Sequence, residues 1–210
     1  MYIFTRTAQL APGKTRAAMA WAVGITEQVN KVTELDVSLW TPVFSRAIGR
    51  LVWSTIVESL TQLEAAEAKL LAEDRYITEV DRGAEFTTDG IDDALASLVR
   101  FNPDPNRRPQ YVAVVDATVA PGSFGRAIEV GVEIADRATR VSGLETTFAA
   151  GVTGVYGGVV WITGATSLDE LQAGENAING DQDFVAYLDR EAANVFLPGS
   201  SEQTILRRIA

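Results

Sequence analysis

The chain of 210 residues contains no cysteine and no histidine. Without cysteine there can be no disulfide, no zinc–thiolate site and no cysteine nucleophile. Without histidine there can be no Ser-His-Asp triad and no histidine-ligated haem. The two methionines are the only soft ligands left, so we expect no bound transition metal and no cofactor.

Positive charge is also scarce, with 18 Lys and Arg against 28 Asp and Glu, for a net charge of −10. An acidic surface repels nucleic-acid phosphates and anionic lipids, so neither is expected as a partner. No apolar run is long enough to cross a bilayer, and the N-terminus lacks the basic start and apolar segment of a signal peptide. The expected location is therefore the cytoplasm.

What the sequence does contain is a repeat of itself. Trp53 recurs as Trp161 and Ser59 as Ser167, both at a spacing of 108, while Ala11-Pro-Gly recurs as Ala120-Pro-Gly at a spacing of 109. A nearly fixed spacing over most of each half indicates a duplicated domain. We predict repeats at 1–100 and 111–210, joined by a proline-rich linker at 101–110. The second copy has lost one residue, which we place between its second and third strands.

Each repeat has the pattern of a ferredoxin-like unit, β-α-β-β-α-β. The first begins with a β-branched and aromatic strand from Tyr2, followed by a helix to about Glu34. Two further strands lead to Ser59, which with Gln62 has the spacing of a capping box. A helix in two pieces and a strand ending at Arg100 complete the copy. The predicted fold class is α+β, with antiparallel sheets.

The step from the third strand into its helix, residues 52–67, and the following segment 71–82 resemble the dimeric α/β-barrel superfamily. That superfamily includes antibiotic-biosynthesis monooxygenase-like and NIPSNAP-like proteins. The resemblance implies that two ferredoxin-like sheets pack against each other as a barrel around a cavity, either within one chain or between chains. Haem-using members rely on a histidine, and its absence argues against chlorite-dismutase-like, peroxidase-like and haem-degrading functions.

The repeated tryptophans are the first candidates for a site. Trp53 and Trp161 occupy equivalent places on equivalent strands, so both rings could line a cavity that binds an apolar ligand. Large aromatic residues more often fill a core or an interface. A place in the core or in a subunit interface is the favoured interpretation.

Three polar residues complete the candidate set. Arg6 lies within an otherwise apolar strand and needs a partner, a ligand or a route to water. Asp116 is one residue out of register with it in the second copy, and an Arg6–Asp116 ion pair across the strands is conceivable. Structural pairing or simple exposure to solvent is favoured over catalysis for both. Tyr156 lies within a glycine-rich segment, residues 151–158, that lacks the Lys and the helix of a phosphate-binding loop, so we predict a hairpin with Tyr156 at its tip.

These observations leave the existence of catalysis open. The favoured hypothesis is a non-enzymatic protein that forms homo-oligomers or binds a small apolar or aromatic ligand. The alternative is a cofactor-independent monooxygenase or cyclase acting on an aromatic or polyketide-like substrate, which needs a polar group to stabilise an enolate. Only Arg6, Asp116 and Tyr156 are candidates for that group. A third, weaker hypothesis is a scaffold that binds a partner protein through its acidic surface.

Overall fold

A computed structural model describes residues 1–46, 48–88 and 90–210. The chain divides into two compact units, the first made of Met1–Leu95 and Arg207–Ala210, the second of Ala96–Leu206. The division therefore falls inside two strands and not in the linker predicted at 101–110. That linker contains neither helix nor strand and belongs to the second unit.

The order of elements confirms two β-α-β-β-α-β repeats and the α+β class. The first repeat consists of β1 (Tyr2–Gln9), α1 (Thr15–Thr33), β2 (Ser38–Val43), β3 (Arg50–Val57), α2 (Leu60–Leu71), α3 (Asp74–Gly83) and β4 (Asp92–Arg100). The second consists of β5 (Tyr111–Thr118), α4 (Phe124–Ser142), β6 (Thr146–Gly151), β7 (Gly158–Ala165), α5 (Leu168–Gly180), α6 (Gln182–Tyr187), a π-helical turn (Leu188–Ala192) and β8 (Glu202–Arg208).

The strands pair in the same way in both units. In the first unit β3 lies between β1 and β2, and in the second β7 lies between β5 and β6, in antiparallel pairs throughout. The full hydrogen-bonded order is β1-β3-β2-β8-β5-β7-β6-β4. β4 and β8 each run from one unit into the other.

Each sheet has a helix face, packed on the helices of its own unit, and a distal face, which points away from them. Successive side chains of a strand point to opposite faces. In the first unit Leu39 and Leu51 pack with Trp21 of α1, which places them on the helix face. In the second, Ala117 and Val159 pack with Val130 of α4. The residues between these positions therefore form the distal faces.

The strand registers locate the residue that the second copy has lost. Leu39 pairs with Trp53 in the first unit, and Phe148 pairs with Trp161 in the second. The spacing between copies is thus 109 at β2 and 108 at β3. The shorter connection is the hairpin between β6 and β7, as predicted.

A β-bulge in β4 turns the last residue of that strand to the helix face. Along β4, Leu98 pairs with Ala149 and Arg100 with Phe148, so the register shifts at the residue between them. Because an extra residue reverses the alternation of faces, Arg100 points to the helix face. There it forms ion pairs with Asp136 at 2.6 Å and Glu145 at 2.5 Å.

Candidate functional site

Trp53 is part of the core on the helix face of the first unit. Its ring meets Trp21 edge-on with centroids 6.1 Å apart, and its indole N–H donates to the Thr26 hydroxyl at 2.8 Å. Thr26 is 1% exposed and in turn donates to the Ala22 carbonyl at 2.7 Å. The indole N–H, which is the one polar group of the ring, is therefore hydrogen-bonded within the unit.

Trp161 takes the equivalent place in the second unit. It is 7% exposed and packs on Phe148 and Phe196, with centroids 5.1 Å and 5.4 Å away. Its N–H donates to the Gly131 carbonyl at 2.9 Å. Both repeated tryptophans are thus held between sheet and helices, which agrees with the interpretation as core residues. A ligand-binding role for them stays a prediction.

Arg6 is on the helix face of the first unit, opposite Trp53. Its guanidinium forms two parallel hydrogen bonds of 2.7 Å with the Asp93 carboxylate, the geometry that matches these two groups best. The Asp93 hydrogen bond raises the pKa of Arg6 above its ordinary value, against the opposing effect of burial. The partner of Arg6 is therefore Asp93 of β4, and the suggested Arg6–Asp116 pair is replaced by this one.

Tyr156 lies in the hairpin between β6 and β7, as the sequence predicted. It is 96% exposed, and Gly154 and Gly157 on either side have φ angles of 88° and 79°. Glycine adopts such angles without steric cost. A side chain this exposed offers no desolvated environment in which to stabilise an enolate.

Asp116 is the one ionisable candidate on a distal face. It pairs with Val160 of β7, while its neighbours Val115 and Ala117 pack on the helix face. The surrounding distal face is mainly aliphatic, with three threonine hydroxyls. It includes Val112, Val114, Thr118, Thr147, Ala149, Val160, Ile162 and Thr204, and Glu202 lies on the same face.

The surroundings of Asp116 favour its protonated form. Its pKa is raised above the ordinary value of 3.8, first by removal of water and second by the negative charge of Glu202. The side chain is nonetheless accessible to solvent. An accessible carboxylate with a raised pKa among aliphatic neighbours is a candidate general base.

The distal face of the first unit holds a different arrangement, which the sequence analysis missed. Trp40 donates its indole N–H to the Ser54 hydroxyl at 2.9 Å. Arg208 lies over the Trp40 ring at 4.5 Å and donates to the Ser38 hydroxyl at 2.7 Å. Ser38 and Arg208 are 170 positions apart in sequence, and only the pairing of β2 with β8 brings them together.

No metal site is visible in the described part of the chain. Nowhere in it do three Asp, Glu, His or Cys side chains form a group that could hold a metal ion. Within the same ranges, no helix is both long and apolar enough to span a membrane.

Comparison with solved structures shows the fold of this chain. A protein of Fusobacterium nucleatum subsp. nucleatum ATCC 25586, described as a proposed monooxygenase, superposes with a TM-score of 0.75 at 8% identity, over 100% of this chain and 92% of its own. An anthrone oxidase-like protein gives 0.66 at 14% identity, over 100% and 91%. A proposed chlorite dismutase gives 0.58 at 10% identity, over 100% and 96%. The resemblance to the dimeric α/β-barrel superfamily is thereby confirmed as a likeness of fold.

Two further comparisons, with protein-family models and with curated proteins, found no relative of this chain. No protein-family model matches the sequence, and the search of curated proteins returned no match.

The likeness to a proposed chlorite dismutase raises the question whether this chain could bind haem. The chain has no histidine or cysteine to serve as its axial ligand. Among the described strand residues, neither distal face presents a methionine or a tyrosine. The residues present do not fit a protein-ligated haem.

Proposed function

We propose that the distal face of the second unit is a catalytic site, at which Asp116 removes a proton from an uncharged aromatic or polyketide-like substrate in a cofactor-independent oxygenation. The observation that carries the proposal is a solvent-accessible carboxylate of raised pKa among aliphatic side chains. The likeness to a proposed monooxygenase and to an anthrone oxidase-like protein supports the choice of reaction.

The chemistry needs only a base, a polar donor and molecular oxygen. Asp116 takes a proton from an activated CH₂ group, and the resulting carbanion supplies the electrons that reduce O₂. One oxygen atom becomes the new carbonyl, and the other leaves as water with the two hydrogens of the CH₂ group. The hydroxyls of Thr118, Thr147 and Thr204 are the donors on this face for the enolate oxygen.

The test uses anthrone as the substrate, with oxygen uptake and formation of the quinone as readouts. We expect Asp116→Asn to lower the rate about 10²–10⁴-fold, the usual contribution of a general base. Glu175→Gln, which removes a carboxylate on the helix side of the same unit, is the matched control and should leave the rate unchanged. Oxidation by the Asp116→Asn variant at the parent rate would overturn the proposal, and so would the absence of any oxidation by the parent protein.

A second candidate function is ligand binding without turnover. The observation in its favour is the Trp40–Arg208 arrangement on the distal face of the first unit, where an indole, a guanidinium and two hydroxyls lie together. Such groups suit a small aromatic ligand. Binding of 1-naphthol that is lost in Trp40→Leu but retained in Asp116→Asn would favour this function over catalysis.

The barrel packing of the two sheets also belongs to the proposal. It is supported by superposition of the whole chain on one solved structure at a TM-score of 0.75. The predicted homo-oligomer is checked by measuring the mass of the protein in solution.

A further inference from the structure

A second carboxylate, Glu202, shares the distal face with Asp116. Along β8, Gln203 donates to the Glu175 carboxylate of α5 at 2.9 Å, and Ile205 packs on the helix-face core with Ala113. These two residues point towards the helices. Side chains alternate along a strand. Thr204, which lies between these two residues, and Glu202, which precedes them, therefore point to the distal face.

The position of Glu202 along the face follows from the hydrogen bonds next to it. The Thr118 N–H donates to the Ser200 hydroxyl at 3.0 Å, and the Leu197 N–H donates to the Thr118 carbonyl at 2.8 Å. The chain entering β8 therefore lies beside the end of β5. Glu202 comes two residues after Ser200, and Asp116 two residues before Thr118. Since both side chains point to the distal face, Glu202 is close enough to Asp116 for its negative charge to raise the pKa of Asp116.

In the described strands of the second unit, no positively charged side chain points to the distal face beside this pair. On the distal side, β7 contributes Gly158, Val160, Ile162 and Gly164, and β6 contributes Thr147, Ala149 and Gly151. From β4 the second unit adds Ala96 and Leu98, while Arg100 is turned to the helix side by the bulge. The charged groups of α4 and α5 lie behind the sheet. Among the described strand residues of the second unit, Asp116 and Glu202 are therefore the only ionisable groups on this face.

We propose that Glu202 is a positioning residue of the site, which acts on Asp116 through its charge so that the pair accepts uncharged phenol-like or CH-acid substrates and rejects aromatic carboxylates. The proposal rests on the proposed function of this face. The negative charge of Glu202 disfavours the ionised form of Asp116. A bound anion would add a third negative charge, whereas a neutral substrate adds none.

The first test is independent of catalysis. The carboxyl carbon of Asp116 is followed by NMR as a function of pH in the parent protein, in Glu202→Gln and in Glu175→Gln. We expect the titration midpoint of Asp116 to fall by about 0.5–1 pH unit in Glu202→Gln, the size of one nearby charge in a wet environment. In Glu175→Gln it should stay at the parent value. An unchanged midpoint in Glu202→Gln would overturn the proposal.

The second test concerns selectivity and uses 1-naphthol and 1-naphthoate at pH 7, one neutral and one anionic. We expect the parent protein to bind naphthol at least about tenfold more tightly, as one additional repulsion of about 1.4 kcal/mol implies. Glu202→Gln should reduce that ratio, and Glu175→Gln should leave it unchanged. Equal binding of the two compounds by the parent would overturn the proposed substrate class. If both tests succeed while Asp116→Asn still oxidises anthrone at the parent rate, the proposed reaction fails but the carboxylate pair stands.

Discussion

The two repeats use different residues to hydrogen-bond the indole N–H of the repeated tryptophan to the packed helix. In the first, the Trp53 N–H reaches the α1 backbone through the Thr26 hydroxyl, which bonds to the Ala22 carbonyl. At a spacing of 109, the second copy has Ala135 in place of Thr26 and Gly131 in place of Ala22. Trp161 therefore bonds directly to the Gly131 carbonyl. Removing the relay hydroxyl and the neighbouring methyl group allows the indole and the helix backbone to meet.

The same comparison explains a change of size across the core. Leu39 and Ala22 of the first unit correspond to Phe148 and Gly131 of the second. A methyl group on Gly131 would lie 2.1 Å from the Phe148 ring, so the larger ring requires the smaller helix residue. The volume is nearly conserved, which is how cores tolerate substitution.

The distal faces have diverged further than the cores. Trp40, Ser54 and Thr7 of the first unit correspond to Ala149, Ile162 and Asp116 of the second. The first face carries an indole beneath a guanidinium, whereas the second carries a carboxylate among aliphatic groups. A duplicated domain has thus kept its core and changed the surface on which a ligand would be recognised.

The largest effect is expected from removing the shared tryptophan. Trp161→Ala should lower the free energy of unfolding by about 3–5 kcal/mol, because it leaves a large cavity. Trp53→Ala should cost less, since Trp53 is only partly buried. Chemical denaturation of each variant measures the difference. Two stable variants that have lost binding of an apolar dye would instead support the ligand-lining role.

The duplicated tryptophans show what the sequence could predict. Their fixed spacing identified the repeats, and Ser59 and Gln62 identified a helix start, because both signals are local. The sequence analysis missed the partner of Arg6. Asp93 lies 87 positions away, and neither residue indicates which positions of the two strands lie opposite each other. Asp116 was found because a charge within an apolar strand is conspicuous. Trp40 and Glu202 were missed because their faces depend on how the strands pair.

The next largest effect is expected from enlarging Gly131, which tests whether its small size compensates for the large ring of Phe148. Gly131→Ala should destabilise the protein by about 1–3 kcal/mol, as overpacking does. Adding Phe148→Leu recreates the Ala22 and Leu39 pair of the first unit and should restore part of that loss. Gly24→Ala in α1 is the matched control, because its added methyl group meets nothing within 4 Å. That control should gain up to about 1 kcal/mol from helix propensity. Independent, additive effects of the two core changes would contradict the explanation.

A smaller effect, of equal size in the two repeats, is expected from removing the serine that caps the N-terminus of the second helix of each repeat. Ser59 accepts a hydrogen bond from the Gln62 N–H, and Ser167 accepts one from the Glu170 N–H, both at 3.1 Å. Either serine changed to alanine should therefore cost about 1 kcal/mol. Ser201→Ala, outside any helix, serves as the control. A clear inequality between the two caps would mean that their surroundings differ more than their geometry.

The smallest effect concerns pH and separates Asp116 from its counterpart Thr7. Because the folded protein raises the pKa of Asp116, its ionised form is disfavoured in the fold relative to the unfolded chain. The contribution of Asp116 to stability is therefore fully present below its ordinary pKa of 3.8 and is lost as pH rises through the folded value. Asp116→Asn should consequently be more stable than the parent at pH 7, by a few tenths of a kcal/mol, and this advantage should vanish towards pH 3. Thr7→Asn places the same amide in the first unit and should show no such dependence on pH. A constant difference between Asp116→Asn and the parent from pH 3 to pH 7 would show that Glu202 and the aliphatic surroundings leave Asp116 unaffected.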